Sequence, residues 1–303
     1  MDLRTSIRVY GALLFAMLVW GFSFLAVKDA VATIPVFSLL LVRFAISVVL
    51  LGLLALARGQ LVVPRRQLLT LAGLALLSPV GYFLFETYGI SLTQASHASI
   101  LIAAIPIAVY MIAFTRKQEP ATWRKTAGIL LAFGGVLTIV VSASGERGAS
   151  LVGDLLVLGA VLCAAARTTL IKDALRRVTP LQLTFYQFLF SLVIFGPLAA
   201  TSGFAWVVQM TPLLWGEVAF LGVICSAAAF LAMHYALSHI SATRVAVSAN
   251  VVPVVTLLAE ALLLGVLLTP IKALGGLLTI LGVVLTQLRP ASLEPHRVSE
   301  RTG

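Results

Sequence analysis

Ten apolar runs of about 20 residues, separated by short polar breaks, leave this chain almost no choice of fold. Each run is the length an α-helix needs to cross the roughly 30 Å hydrocarbon core of a bilayer. Inside lipid every backbone N–H and C=O must find a partner within the protein, so only helices and closed barrels can span, and runs this long are helical. They fall at about 9–29, 35–57, 68–90, 95–114, 124–142, 151–171, 180–200, 213–236, 242–264 and 270–288. Breakers mark the connectors: Pro35, Arg58-Gly59, Pro64, Pro120, Pro180, Pro212 and Pro270. With 60% hydrophobic and 11% charged residues and a mean hydropathy of +1.08, a soluble globular domain is excluded. Arg4 and Arg8 before the first run, and Ala30-Val31-Ala32 after it, have the outline of a signal peptide. The run from Val9 to Val27 is too long for one, and it has a counterpart later in the chain, so it reads as a retained first helix.

That counterpart belongs to a repeat. Tyr88–Pro106 slides onto Tyr235–Pro253 at an offset of 147, pairing Ser91 with Ser238, Ala95 with Ala242, and further on Gly128 with Gly275 and Gly135 with Gly282. Upstream an offset of 144 pairs Lys28-Asp29-Ala30 with Lys172-Asp173-Ala174, Ser47 with Ser191 and Gly52 with Gly196. The polar stretch 142–150 divides the chain into units at 1–144 and 150–290, followed by a charged tail at 291–303. Five spans per unit is an odd number, so the second copy enters the membrane from the opposite side. The expected fold is an all-α polytopic membrane protein of ten transmembrane helices, built as two inverted five-helix repeats, an arrangement common in secondary transporters.

The net charge of +10 reflects orientation rather than a nucleic-acid surface. With the N-terminus inside, 15 of the 21 Lys and Arg residues fall in cytoplasmic segments and 3 (Lys28, Arg147, Lys272) outside, while Arg43, Arg167 and Arg244 lie at or within spans. Both termini are expected in the cytoplasm. Cys163 and Cys225 sit inside apolar runs as packing residues. The sequence contains no HExxH, P-loop, GxSxG or glycine-rich dinucleotide motif, which argues against an enzyme, a metal site, a bound cofactor or an ATP-driven pump.

A charge at the bilayer centre costs about 2.5–3.5 kcal/mol on insertion scales, so polar groups within spans point to a cavity or a partner. Ser78, Tyr82 and Glu86 recur at i+4 on one face of the third span, which reads as a lined pathway, with helix packing as the plainer alternative. Ser96, Ser99, Ala103, Pro106 and Tyr110 share a side of the fourth span, and Thr243, Ala246, Asn250, Pro253 and Leu257 share the matching side of the ninth. Pro106 and Pro253 are therefore symmetric bends, and hinges on a functional reading. Trp20 lies at mid-depth, where it either stacks on a flat ligand or packs in the core. Arg167 either receives a carboxylate or snorkels to the inner interface. Arg43 needs a carboxylate or carbonyl partner that the sequence does not identify. His97, Arg244 and His234 read as interface residues.

Taken together, the ten spans in inverted halves, Trp20-Gly21, and the run Pro253…Leu264-Gly265-Val266-Leu267-Leu268…Gly275…Gly282-Val283 resemble the drug/metabolite transporter superfamily. That run is similar to the end of its EamA-type repeat, and the first copy matches through Pro106, Glu119-Pro120, Gly128 and Gly135-Val136. There are departures: the family's Leu-Gly-Glu ends in Val266 in the second copy, and Lys117-Gln118 precede Glu119 in the first. No glutamate lies between Val9 and Val27, where small four-span relatives carry the proton-coupling acid. The resemblance implies a bacterial-type inner-membrane exporter working by alternating access around a cavity lined by spans one, three, four, six, eight and nine. Carried over, it implies substrate contacts at Trp20, Ser23, Tyr82, Glu86, Ser99, Tyr110, Arg167, Ser248 and Asn250. The expected cargo is a small amphipathic metabolite, an amino acid with an aromatic bias, moved by a monomeric uniporter whose other partner is the lipid bilayer. The alternative is a proton-coupled multidrug or polyamine exporter using Glu86 and Glu260. A scaffold or membrane-embedded enzyme is disfavoured by the missing catalytic motifs and the lack of a sizeable soluble domain.

Overall fold

The computed structural model describes residues 3–115, 123–142, 150–240, 242–249, 251–265 and 269–287. Asn250 and the family-like positions Lys117–Pro120 and Val266–Leu268 lie outside them. Several helices of the second half begin where the sequence supplies a cap. Thr179 Oγ1 accepts the Gln182 N–H at 3.2 Å while Gln182 Oε1 accepts the Thr179 N–H at 3.0 Å, and Pro180 occupies the first helical position. Thr211-Pro212 repeats the device, the hydroxyl accepting from Leu214 N–H at 3.2 Å.

Among the described residues the chain makes ten passes. The first two are α1 (Leu3–Thr33) and α2 (Val36–Ala57). The third is α3 (Arg65–Ala75), a π-helical segment Leu76–Gly81 and α4 (Tyr82–Leu92). The fourth is α5 (Ala95–Ile102) and α6 (Ile105–Thr115), and the fifth is α7 (Trp123–Ser142). The second unit follows the same order: α8 (Leu151–Leu175), α9 (Pro180–Thr201), then α10 (Pro212–Ala219), a π segment Phe220–Ala228 and α11 (Ala229–His239). It ends with α12 (Ala242–Ser248), α13 (Val251–Leu264) and α14 (Pro270–Gln287). Six helical stretches are long and apolar enough to span on their own, and four shorter apolar helices make the broken or terminal passes. The fold is that of an all-α polytopic membrane protein in two inverted repeats.

Packing follows a pseudo-twofold axis. Helix α4 lies on α8 as α11 lies on α1; α6 lies on α8 as α13 lies on α1; α2 meets its own equivalent α9, and α7 meets α14. The last pair touches backbone to backbone. A Cβ built on Gly135 falls 2.5 Å from Gly275 O, and one built on Gly282 falls 2.5 Å from Gly128 O. These are the four glycines matched by the 147 offset, and only a missing side chain permits the approach.

Two expectations change. The fourth and ninth passes are not bent helices but pairs of half-helices: α5 stops at Ile102, and α12 stops at Ser248. Pro106 and Pro253 lie just inside α6 and α13, because a prolyl ring clashes with the carbonyl four residues back and the break falls there, upstream of the ring. Short turns bridge the first gap, with Ala104 N–H bonding Leu101 O at 2.9 Å; in the second unit Val252 N–H bonds Ala249 O at 3.0 Å. The third pass is also irregular. Ser78, preceding Pro79, is extended (φ −159°, ψ 126°), as a residue before proline tends to be.

Candidate functional site

The first π segment, through Ser78, and the two half-helix breaks border one central cavity. Its water-accessible space is about 80 Å³, room for several waters. Much of the lining comes in pairs related by the repeat: Trp20 with Ala164, Ser23 with Arg167, Phe24 with Thr168, Phe83 with Phe230, Glu86 with Met233, Ile102 with Ala249 and Ile105 with Val252. The cavity therefore lies on the pseudo-twofold axis, where Phe83 and Phe230 meet with ring centroids 5.7 Å apart. The backbone is shared between the halves and the chemistry is not. One side of the axis carries Trp20, Tyr82 and Glu86; the other carries Arg167.

Each polar group is held in place. The Glu86 carboxylate, 6% exposed as a residue, accepts from Tyr82 Oη at 2.9 Å, one turn back on α4. Trp20 Nε1 donates to Cys225 O at 2.9 Å, a carbonyl of the second π segment, and its ring lies edge-on to Phe230 at 5.2 Å. Ser23 turns its hydroxyl back to Trp20 O at 2.8 Å. Arg43 has a hydroxyl as its partner rather than the carboxylate or carbonyl expected. Its Nε donates to Ser226 Oγ at 2.6 Å, and its guanidinium sits 4.4 Å from the centre of the Phe83 ring. Arg167 does not snorkel: it is 4% exposed, faces Phe230 at 5.5 Å and bonds to the buried His234. The lining carries two guanidinium groups and one carboxylate, a formal excess of one positive charge.

Of the nine expected contacts, the cavity brings together Trp20, Ser23, Tyr82, Glu86 and Arg167, with Ser78 beside them. Ser99, fully buried, and Tyr110, 7% exposed, belong to the packing of α5 and α6, and half-buried Ser248 ends α12; none of the three lines the cavity. Asn250 is outside the described residues. Sequence reasoning missed Arg43, Phe83 and Phe230 as lining groups and placed His234 and His97 at an interface. Both histidines are fully buried. His97 Nδ1 faces Asp154 Oδ1 at 3.5 Å, and Thr93 Oγ1 donates to the same oxygen at 2.9 Å. Phe230 carried a signal, its repeat partner Phe83; His234 carried none, because its equivalent is Thr87.

A second space of about 740 Å³ opens at the end of the bundle opposite the N-terminus, lined by a different set that includes Asp29, Glu217, Glu260 and Lys272. Lys28 lies at its edge. Its ammonium caps the end of α4, donating to Ile90 O at 2.9 Å, Ser91 O at 3.3 Å and Thr93 O at 2.6 Å. Glu260 thus borders this vestibule rather than the central cavity.

Comparison with known proteins adds the family. The profile of the EamA-like transporter family matches the chain twice, over residues 8–141 and 151–288. A protein named only as an uncharacterized transporter, from Archaeoglobus fulgidus, is 31% identical over 277 residues, covering 90% of this chain and 95% of its own. A probable terminal-alkyne amino-acid exporter from Streptantibioticus cattleyicolor is 29% identical over 283 residues, covering 92% and 93%. A solved crystal structure with 16% sequence identity superposes with a TM-score of 0.71 over 94% of this chain and 98% of that one, a likeness of fold.

Proposed function

The chain belongs to the EamA-like transporter family, a multi-pass membrane transporter, and from that premise we propose that it exports small amphipathic metabolites, above all amino acids with an aromatic bias. The observation that carries this reading is the make-up of the central cavity. A buried guanidinium at Arg167, a carboxylate at Glu86 and the rings of Trp20, Phe24, Tyr82, Phe83 and Phe230 face one space. Those groups match, in kind, the carboxylate, ammonium and side chain of an aromatic amino acid. Nε of Arg167 is buried without a hydrogen-bond partner, a donor that a substrate oxygen would satisfy. The relative described as a probable amino-acid exporter supports the same class. The protein would sit in a bacterial-type inner membrane with both termini cytoplasmic, acting as a monomer. The two inverted units would rock against each other with the breaks before Pro106 and Pro253 as hinges.

Uniport is the favoured energetics, since the carboxylate that lines the cavity is already engaged by Tyr82. The rival reading, proton-coupled export of drugs or polyamines, rests on Glu86 and Glu260. Against it, the two acids border different spaces, and a lining with excess positive charge repels a polycation. Counterflow in proteoliposomes with phenylalanine, tyrosine, tryptophan, threonine and a cationic dye tests the proposal. Saturable uptake of the aromatic amino acids, unchanged by ionophores, is expected. Dye uptake without amino-acid uptake, abolished by Glu86→Gln, would establish the rival.

A further inference from the structure

Behind Arg167 stands a polar relay that exists in one repeat only. His234 on α11 is completely buried, with Thr184 of α9 on one ring nitrogen and Arg167 of α8 on the other. The equivalents in the first unit are Thr87 for His234, Leu40 for Thr184 and Ser23 for Arg167, none of which titrates. Proton bookkeeping settles the relay's direction. Thr184 Oγ1 has a single proton and lies 2.6 Å from Pro180 O, which can only accept. Facing His234 Nδ1 at 2.7 Å, the hydroxyl is therefore an acceptor, and Nδ1 must carry a hydrogen. On the far side of the ring a guanidinium can only donate, so Nε2 must be bare. Two independent partners demand the same neutral Nδ1–H tautomer.

We infer that His234 is a positioning residue of the transport site. Its unprotonated Nε2 holds one arm of the Arg167 guanidinium, so that Arg167, which lines the cavity and whose buried Nε–H is unpartnered, keeps its other donors for a substrate carboxylate. Phe230 fixes the same arrangement from the side, its ring 5.5 Å from the Arg167 guanidinium and 6.0 Å from the imidazole. Thr184 holds the imidazole, the imidazole holds the guanidinium, and the guanidinium meets the cargo. The inference rests on the reading of Arg167 as the carboxylate site, but its first test does not.

That first test is nitrogen-15 NMR of the full chain in nanodiscs, with labelled histidine and the His234 signals assigned by loss in His234→Gln. At neutral pH, Nδ1 should resonate as a protonated nitrogen and Nε2 as a bare one, and Arg167→Gln should shift Nε2. The opposite tautomer, or a ring unaffected by Arg167→Gln, would overturn the inference whatever the protein transports. The second test uses phenylalanine counterflow. His234→Leu should raise KM about tenfold, as expected for losing a hydrogen bond to a charged group, with kcat within about twofold. His234→Gln, which keeps an acceptor oxygen but cannot titrate, should restore most of that loss. In an Arg167→Gln background, His234→Leu should add nothing, whereas a merely structural histidine would give additive effects. Additive losses, or equal KM for the Leu and Gln variants, would refute the positioning role. If the unaltered protein takes up no phenylalanine, the substrate reading falls and the tautomer alone decides the inference.

Discussion

Replacing Gly135 by alanine tests how the two units are joined. The new Cβ would lie 2.5 Å from Gly275 O, 2.5 Å from Thr279 Oγ1 and 2.6 Å from Thr279 N. Ordinary contact begins at 3.4 Å, so the shortfall against the backbone oxygen is about 0.9 Å. The obstacles are mainly backbone atoms of α14, which cannot rotate away, so α7 and α14 must separate along their shared seam. Overpacking of this kind costs about 1–3 kcal/mol. Gly282→Ala meets the mirror-image obstacle, with Gly128 O at 2.5 Å and Ala132 N beside it, and should cost about the same. The two are not independent: helices already parted by one methyl group have made most of the room the other needs. The double variant should therefore lose clearly less stability than the sum of the singles. Reversible unfolding of purified protein in mixed micelles, read by tryptophan fluorescence, gives the three values. A Gly135→Ala protein as stable as the parent, or strictly additive losses, would refute the twofold seam.

Other consequences follow from the buried polar contacts. Lys28→Met leaves three carbonyls at the end of α4 without their cation and should cost about 2–3 kcal/mol of stability in the same unfolding assay. Ser226→Ala leaves the buried Nε–H of Arg43 unpaired and should destabilise by about 1.5–3 kcal/mol, while adding Arg43→Met to it should recover part of the loss, because that unpaired donor is then gone. Trp20→Phe keeps an aromatic surface but removes the donor to Cys225 O, so stability should fall by about 1–3 kcal/mol while phenylalanine KM in counterflow changes little.

Much of the architecture is legible in the amino-acid sequence. Hydrophobic runs of membrane length, an odd number of them per repeat and the asymmetry of Lys and Arg are coarse properties, spread over many residues. The glycine pairs 128/275 and 135/282 are visible there as matches, and the structure turns them into a seam. The site is less legible for identifiable reasons. A helix surrounded by apolar neighbours and lipid has apolar residues on every face, so periodicity does not tell which side meets a cavity; as residue types Ser99 and Tyr110 look the same as Ser23 and Tyr82. The π segment at Phe220–Ala228 contains no proline, unlike its equivalent at Leu76–Gly81, so nothing in its composition announces it. Yet its carbonyls and Ser226 are what hold Trp20 and Arg43. Arg167 and His234 are 67 residues apart, and each is ambiguous alone; only the packing of α8 against α11 makes them a pair. The mismatches between repeats, Ser23 against Arg167 and Thr87 against His234, are the readable trace of an asymmetry around the cavity that the symmetric backbone could not have made by itself.

The central claim is that the cavity around Tyr82 and Arg167 is where cargo sits. Cysteine labelling with substrate protection tests it most directly. With Cys163 and Cys225 replaced by alanine, Tyr82→Cys should react with a small polar thiol reagent in membranes, and phenylalanine should slow that reaction in a saturable manner. A cysteine at 82 that is unreactive from both sides of the membrane, or one that reacts at the same rate with and without phenylalanine, would contradict the account.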